Sequence, residues 1–183
     1  MPPFRRLFLA CAVLASLGLS ACGYNISPYG VSVKNVTAIK AINAPPVAVA
    51  PFESSNPGLS SISCRAAGPV RTSDKTSFEA YIQKAFVDEL QLAGHYDAQS
   101  PIVIHGVLRE VDFNSNIGAG KWIFSLAVSS NKSPGFTVET KHGFSTNWVA
   151  DKACQQVAQE FGPAVQQLIS EVISNPSFPA LAQ

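Results

Sequence analysis

Residues 122–129, which read Trp122-Ile-Phe-Ser-Leu-Ala-Val-Ser129, decide the class of fold. The even positions carry large apolar side chains and alternate with Ile, Ser, Ala and Ser, and a period of two is typical of a strand with one buried face. Turn-rich residues 114–120 precede this strand and residues 131–135 follow it. Apolar stretches at residues 101–113 and 136–141 predict two more strands, so the three should form an antiparallel meander.

A helix is predicted before the meander, over residues 77–93. Its apolar side chains recur every three or four positions, which indicates one buried face. Thr76 and Glu79 have the spacing of a capping box, and Gly94 is the expected C-terminal cap. The same pattern directs three charged side chains toward solvent, namely Lys84, Asp88 and Glu89.

A second helix is predicted after the meander, with Asp151 as its N-cap and an end near residue 175. Its apolar stripe is interrupted at Gly162-Pro163, where a kink is expected. Residues 47–52, bounded by prolines, predict a short buried strand ahead of the first helix. The order is therefore β-α-β-β-β-α. This order predicts an α+β fold in which a four-stranded sheet carries two helices packed on one face.

The composition limits the classes of function. The chain has 183 residues, of which 46% are hydrophobic and 14% charged, so it can form a core and is not a disordered chain. The net charge is +1, and Lys and Arg form no block, which argues against a nucleic-acid partner. We predict a single domain over residues 47–176, followed by a tail over residues 177–183.

The amino terminus predicts a secretory signal peptide over residues 1–21. Arg5 and Arg6 precede an uncharged apolar run at residues 7–19, which is too short to span a bilayer. The run ends in Leu19-Ser20-Ala21-Cys22, which resembles the lipobox of bacterial lipoproteins. The resemblance implies that the Cys22 thiol takes a diacylglycerol and that cleavage occurs just before it. The alternative is an ordinary signal peptide with an incidental cysteine.

Lipidation at Cys22 predicts a membrane partner. Several acyl chains on one residue would anchor the protein stably without crossing the bilayer. Among lipoproteins, Asp after the cysteine often retains the protein at the inner membrane, so Gly23 favours the periplasmic face of the outer membrane. Residues 22–46 contain Gly, Asn, Ser and Pro and are predicted to be a tether between lipid and domain.

The chain resembles a group of small, mostly uncharacterised proteobacterial lipoproteins. The features that carry the resemblance are the lipobox at Cys22, residues 47–52, the turn and strand at residues 120–126, and the helix segments at residues 153–156 and 163–166. More distantly, the layout is similar to LptE-type lipoproteins and to auxiliary lipoproteins of ABC transport systems. The resemblance implies accessory or assembly work at an envelope complex, with an envelope protein as partner, and it supplies no catalytic residues.

The cysteine count predicts one disulfide. Cys11 lies in the predicted signal peptide and Cys22 in the lipobox, which leaves Cys64 and Cys154 in the domain. Two cysteines in an oxidising compartment favour a bridge between them. Two buried inert thiols, or a reactive or metal-binding pair, are the alternatives.

No motif in the sequence predicts an enzyme, a metal site or a cofactor. His95, His105 and His142 each stand alone in their segments, without the close pair typical of zinc ligands. Glu110 and Asp112 point to the same face of a strand, and such a pair lies more often on a solvated surface than in an active site. Arg109 is expected at a sheet edge or beside an acidic side chain. Phosphate-loop, dinucleotide-binding and nucleophile-elbow motifs are missing from the sequence.

Trp148 is the candidate for partner contact, because it precedes a helix beside the polar Asn147. Trp122 and Phe124 are expected in the core. Our leading hypothesis is a non-enzymatic, lipid-anchored accessory protein of an envelope complex. The alternative is a lipid- or small-molecule-binding module with a cleft between helices and sheet. A hydrolase whose site forms only in the fold is the third hypothesis.

Overall fold

The computed structural model describes residues 23–183, so the predicted signal peptide and Cys22 lie outside the described residues. The class is α+β. The strands and helices follow in this order: β1 (Tyr24–Ile26), α1 (Val33–Lys40), β2 (Ala48–Val49), β3 (Glu53–Ser54), β4 (Ser61–Cys64), β5 (Gly68–Thr72), α2 (Phe78–Ala93), β6 (Val103–Asn114), β7 (Gly120–Ser130), β8 (Phe136–Phe144), α3 (Ala150–Ser174) and a 3-10 helix (Phe178–Ala182).

The predicted meander forms the centre of a five-stranded sheet. β6, β7 and β8 pair antiparallel, with Leu108 opposite Leu126 and Leu126 opposite Val138. A bulge between Leu108 and Glu110 shifts the register at Arg109, which is exposed. α2 and α3 pack on the inner face, while the outer face of the meander carries the exposed Glu110 and Asp112.

Only Ala48–Val49 of the strand predicted at residues 47–52 is a strand, a second short strand follows at Glu53–Ser54, and the sheet has five strands rather than four. β2 and β3 both run parallel to β6, with Ala48 beside Val103 and Glu53 beside Val107. Pro51 lies between them and has no N–H to donate, so the ladder is interrupted there. Phe52 nevertheless stays buried, because Gly106 on β6 leaves room for its ring.

A second sheet, which the sequence did not predict, contains three strands in the order β1-β5-β4. β4 and β5 form an antiparallel hairpin, with Ile62 opposite Val70. β1 lies parallel to β5, with Tyr24 beside Val70. The prediction of a tether over residues 22–46 is therefore wrong for most of this segment. β1 and α1 bury Ile26, Val36 and Ile39 and belong to the domain.

The helices are close to their predicted bounds, but their caps differ. Ser77, rather than Thr76, caps α2, and its side chain accepts a hydrogen bond from the Ala80 N–H. Gly94 ends α2 in the left-handed conformation, as predicted. α3 begins after Val149, so Asp151 lies within its first turn and is not the N-cap. The helix runs without a break through Pro163.

One core joins the helices to the large sheet. Trp122 and Phe124 are fully buried, and both rings contact the ring of Phe161 on α3. The Trp122 indole N–H donates to the Val157 carbonyl at 2.9 Å, which satisfies its only donor. The segment predicted as a tail instead forms the 3-10 helix, which buries Phe178 and Leu181 against this core. Within residues 23–183, no helix has the length and apolar character needed to cross a bilayer.

Candidate functional site

The described chain enters the domain directly at β1. Gly23 is one residue before this strand, and a side chain at Gly23 would meet the guanidinium of Arg71 on β5. Tyr24 donates a hydrogen bond from its hydroxyl to Asp151 Oδ1 at 2.9 Å, which places the first strand beside the start of α3. Cys22, which precedes Gly23 in the sequence, lies outside the described residues.

A disulfide joins the small sheet to the same end of α3. Cys64, the last residue of β4, is bonded to Cys154 with their Cα atoms 5.9 Å apart, and both side chains are buried. This is the pairing that the cysteine count predicted. It links the hairpin next to β1 covalently to the helix that Tyr24 reaches by its hydrogen bond.

Arg65 connects three loops at this end, and the sequence analysis did not identify it. It follows Cys64 in the turn between β4 and β5, with a φ of 43°. Its Nε donates to Ser115 Oγ at 3.0 Å, and its Nη1 donates to the Asn147 carbonyl at 2.9 Å. The β4–β5 turn, the β6–β7 turn and the β8–α3 loop therefore meet around one guanidinium. No local pattern marks this role, because all the partners are distant in sequence.

We call this region the Gly23 end, defined by Gly23, Arg65, Ile117 and Trp148. Thr146 donates from its hydroxyl to the Asn116 carbonyl, which holds the β8–α3 loop against the β6–β7 turn. Trp148 is 77% exposed and Ile117 is 74% exposed, and they are among the most exposed large apolar side chains described. The structure thus places Trp148, the candidate for partner contact, near the point where the chain leaves toward Cys22.

A buried carboxylate holds the segment that follows β1. Glu89 on α2 is fully buried, although the helical pattern had directed it outward. Its Oε1 accepts hydrogen bonds from the Tyr29 hydroxyl, the Ser32 N–H at 3.1 Å and Asn35 Nδ2 at 3.3 Å. Burial raises the pKa of Glu89, while these three hydrogen bonds lower it, and the net direction is upward.

The sequence contained a signal that Glu89 faces inward. It continues the helical spacing of the apolar residues Ile82, Phe86 and Ala93. Asn35 extends the contact, since its Nδ2 also donates to the Gln166 carbonyl on α3 at 2.9 Å. Burial also raises the pKa of Tyr29, and the bond to Glu89 raises it further. The cluster therefore locks the N-terminal segment between α2 and α3, which is a structural role.

A polar network between β8 and α3 is the nearest approach to a catalytic arrangement among the described residues. His142 faces Gln167 Oε1 at 2.8 Å through Nδ1 and Glu160 Oε2 at 3.1 Å through Nε2. Thr140 donates its hydroxyl proton to Glu171 at 2.6 Å. The hydroxyl and the imidazole thus bind different partners, whereas an activated nucleophile needs the two in contact.

The other candidates for chemistry are separated in the fold. His105 lies on the outer face of the large sheet and His142 on the inner face, and His95 binds the Ile42 carbonyl at 3.0 Å through Nε2. Glu110 and Asp112 are exposed on the outer face, as expected. Over residues 23–183, no three His, Cys, Asp or Glu side chains are grouped so that they could hold a metal ion.

The core leaves little room for a ligand between helices and sheet. The void lined by Phe52, Phe86, Leu126 and Ile169 has a volume of about 10 Å³. A single water needs at least roughly 10–15 Å³ by the same kind of measure. This void is therefore too small to hold a ligand.

Comparisons with known proteins give a likeness of fold. No family model matches the chain, and no curated protein matches it. The chain is similar to the crystal structure of protein XCC0632 from Xanthomonas campestris, described under the family model DUF330. The TM-score is 0.56 and the identity 9%, and the match covers 83% of this chain and 92% of the other. At this identity the likeness shows the fold alone, and it does not extend to a lipid anchor or an LptE-like layout.

Proposed function

We propose that the protein is a non-enzymatic lipoprotein, anchored through Cys22 at the periplasmic face of the outer membrane, where it serves an envelope complex as an accessory or assembly partner. One observation carries the proposal. The lipobox tetrad Leu19-Ser20-Ala21-Cys22 is followed, after the single residue Gly23, by the paired strand β1.

This adjacency gives the anchor a mechanical consequence. Because Tyr24 already pairs with Val70 and binds Asp151, only Gly23 would separate the lipidated residue from the folded domain. A domain held in this way is confined to the membrane plane with a restricted orientation. Confinement raises its effective concentration toward an integral membrane partner without any additional contact.

The disulfide is consistent with this location. Bonds such as Cys64–Cys154 persist in oxidising compartments such as the bacterial periplasm. The arrangement of His142 and Thr140 offers no activated nucleophile, and the void between α2, α3 and the large sheet is too small for a ligand. An accessory role is therefore the function that the described geometry supports best.

The test is affinity capture of full-length protein from gently solubilised, crosslinked membranes, with a tag placed after the exposed Gln183. Cys22→Ser is the test variant. Cys11→Ser is the matched control, because it removes a cysteine of the predicted signal peptide outside the lipobox. We expect wild type and Cys11→Ser to capture one envelope protein in near-stoichiometric amount, and Cys22→Ser to lose it. Equal captures that contain only abundant background would refute the accessory role.

A further inference from the structure

We propose that the Gly23 end is a membrane-docking surface, in which Trp148 and Ile117 enter the interfacial region of the bilayer that receives the Cys22 lipid. The inference rests on the proposed lipidation and adds an orientation to it: the domain lies with this end on the membrane. The occupant is the phospholipid surface itself.

The first argument is the convergence of the two exposed apolar side chains. Ile117 and Trp148 belong to different loops, and single exposed apolar residues are ordinary on protein surfaces. Here, however, the two loops are held together by Arg65 and by the Thr146 hydrogen bond to the Asn116 carbonyl. Two exposed side chains fixed on one end form a surface, whereas isolated ones do not.

The second argument is the position of the chain that leaves this end. Asp151, three residues after Trp148, accepts the hydrogen bond from Tyr24, and Tyr24 is two residues from Cys22. Acyl chains on Cys22 must enter the bilayer, and one trans peptide unit spans only about 3.8 Å. The bilayer therefore has to lie against the Gly23 end, because a more distant membrane could be reached only through a long tether.

The third argument is chemical. Trp is enriched at the boundary between hydrocarbon and headgroups, because its ring is apolar and its N–H is polar. Arg65 and Arg71 belong to the same end, and Lys152 is exposed beside Asp151. Cations suit anionic headgroups, and attachment by lipid plus protein contacts is more stable than attachment by one signal alone.

The opposite end supplies a control. Leu92, near the end of α2, is 61% exposed. It is four residues before Tyr96, which bridges to Val47 beside the start of β6, whereas Ile117 follows the end of β6. Leu92→Ser therefore removes a similar exposed apolar side chain from the far end of the large sheet.

The experiment uses processed, full-length protein reconstituted in vesicles of phosphatidylethanolamine and phosphatidylglycerol, with or without brominated acyl chains. Intact mass spectrometry first establishes whether Cys22 carries lipid. The chain has two tryptophans, and Trp122 is fully buried, so the difference between wild type and Trp148→Phe isolates the emission of Trp148. We expect brominated chains to remove about half or more of that emission, because interfacial Trp lies at the depth of the upper acyl chain.

Ile117→Ser should weaken this quenching, and Leu92→Ser should leave it unchanged. Lipidated protein whose Trp148 is quenched by aqueous acrylamide but not by brominated chains would overturn the docking surface and leave the proposed anchor intact. Shielding of Trp148 from both quenchers would also overturn it, because protein would then cover this end. A mass without lipid on Cys22 would refute the anchor, and the docking inference with it.

Discussion

Asn35 on α1 donates a hydrogen bond from Nδ2 to the fully buried carboxylate of Glu89 on α2, at a distance of 3.3 Å. The second oxygen of Glu89 is buried without a hydrogen-bond partner among the described residues. A buried acid that joins two helices, with one oxygen satisfied and one orphaned, costs desolvation energy and supplies local hydrogen bonds. This balance makes Glu89 the most informative position for measurements of stability.

Glu89→Gln should reduce the pH dependence of the free energy of unfolding. The pKa of Glu89 is raised in the folded state, so the folded protein binds its proton more tightly than the unfolded chain. The stabilisation linked to its proton is therefore complete below the ordinary pKa of 4.5 and is lost as the pH rises through the raised value. The measurement is urea unfolding from pH 4 to pH 8, and the difference between variant and wild type reports this residue.

Glu89→Ala is the companion variant. This variant removes the carboxylate oxygen that accepts hydrogen bonds from Tyr29, Ser32 and Asn35. It should therefore destabilise the protein by about 1–3 kcal/mol at neutral pH. Glu89→Gln retains an acceptor oxygen and should be the more stable of the two at pH 7. Equal destabilisation by both variants would show that the hydrogen bonds accepted by Glu89 do not stabilise the protein.

The double variant Cys64→Ser/Cys154→Ser should lower the free energy of unfolding by about 2–5 kcal/mol, because a bridge that spans a long loop restricts the unfolded chain. The bonded residues are 90 positions apart. Denaturant unfolding measures the loss, and wild-type protein under a reductant should approach the variant. A reductant that shifts the variant as much as the wild type would contradict this assignment.

Trp122→Phe and Trp148→Phe form a matched pair of identical substitutions. Trp122 is buried and donates to the Val157 carbonyl, so its replacement leaves a small cavity and removes a hydrogen bond, which should cost about 1–3 kcal/mol. Trp148 is 77% exposed, and its replacement should stay within about 0.5 kcal/mol. Thermal unfolding compares them, and similar losses would contradict the burial of Trp122.

Gly135→Ala should be more damaging than Gly118→Ala. The φ angle is 77° at Gly135 and 79° at Gly118, so each alanine has a similar backbone cost of roughly 1–2 kcal/mol. A Cβ at Gly135 would also lie 1.8 Å from the Val128 carbonyl oxygen, whereas Gly118 has open space. Chemical denaturation should separate the two, and equal losses would mean that the β7–β8 turn relaxes freely.

Long elements with clear periodicity were predicted well from the sequence. β7 alternates large apolar and smaller side chains, β8 begins with alternating apolar and polar ones, and α2 carries its apolar stripe between clear end signals, so local pattern is enough to define them. Several short elements were missed, among them β1, α1, β4 and β5. β1 has three residues and β5 has five, and neither is long enough to show a period.

The sequence by itself determined the α+β class, the meander, the two long helices and the pairing of the cysteines, because burial periodicity and cysteine count are local or compositional properties. Only the tertiary structure decided that residues 24–40 belong to the domain, that Glu89 faces inward, and that Gly23, Ile117 and Trp148 share one end. These features depend on hydrogen bonds between positions far apart, such as Tyr24 with Asp151 and Arg65 with Asn147. Such bonds produce no periodic pattern in the sequence, since the packing of the whole domain determines which residues become partners.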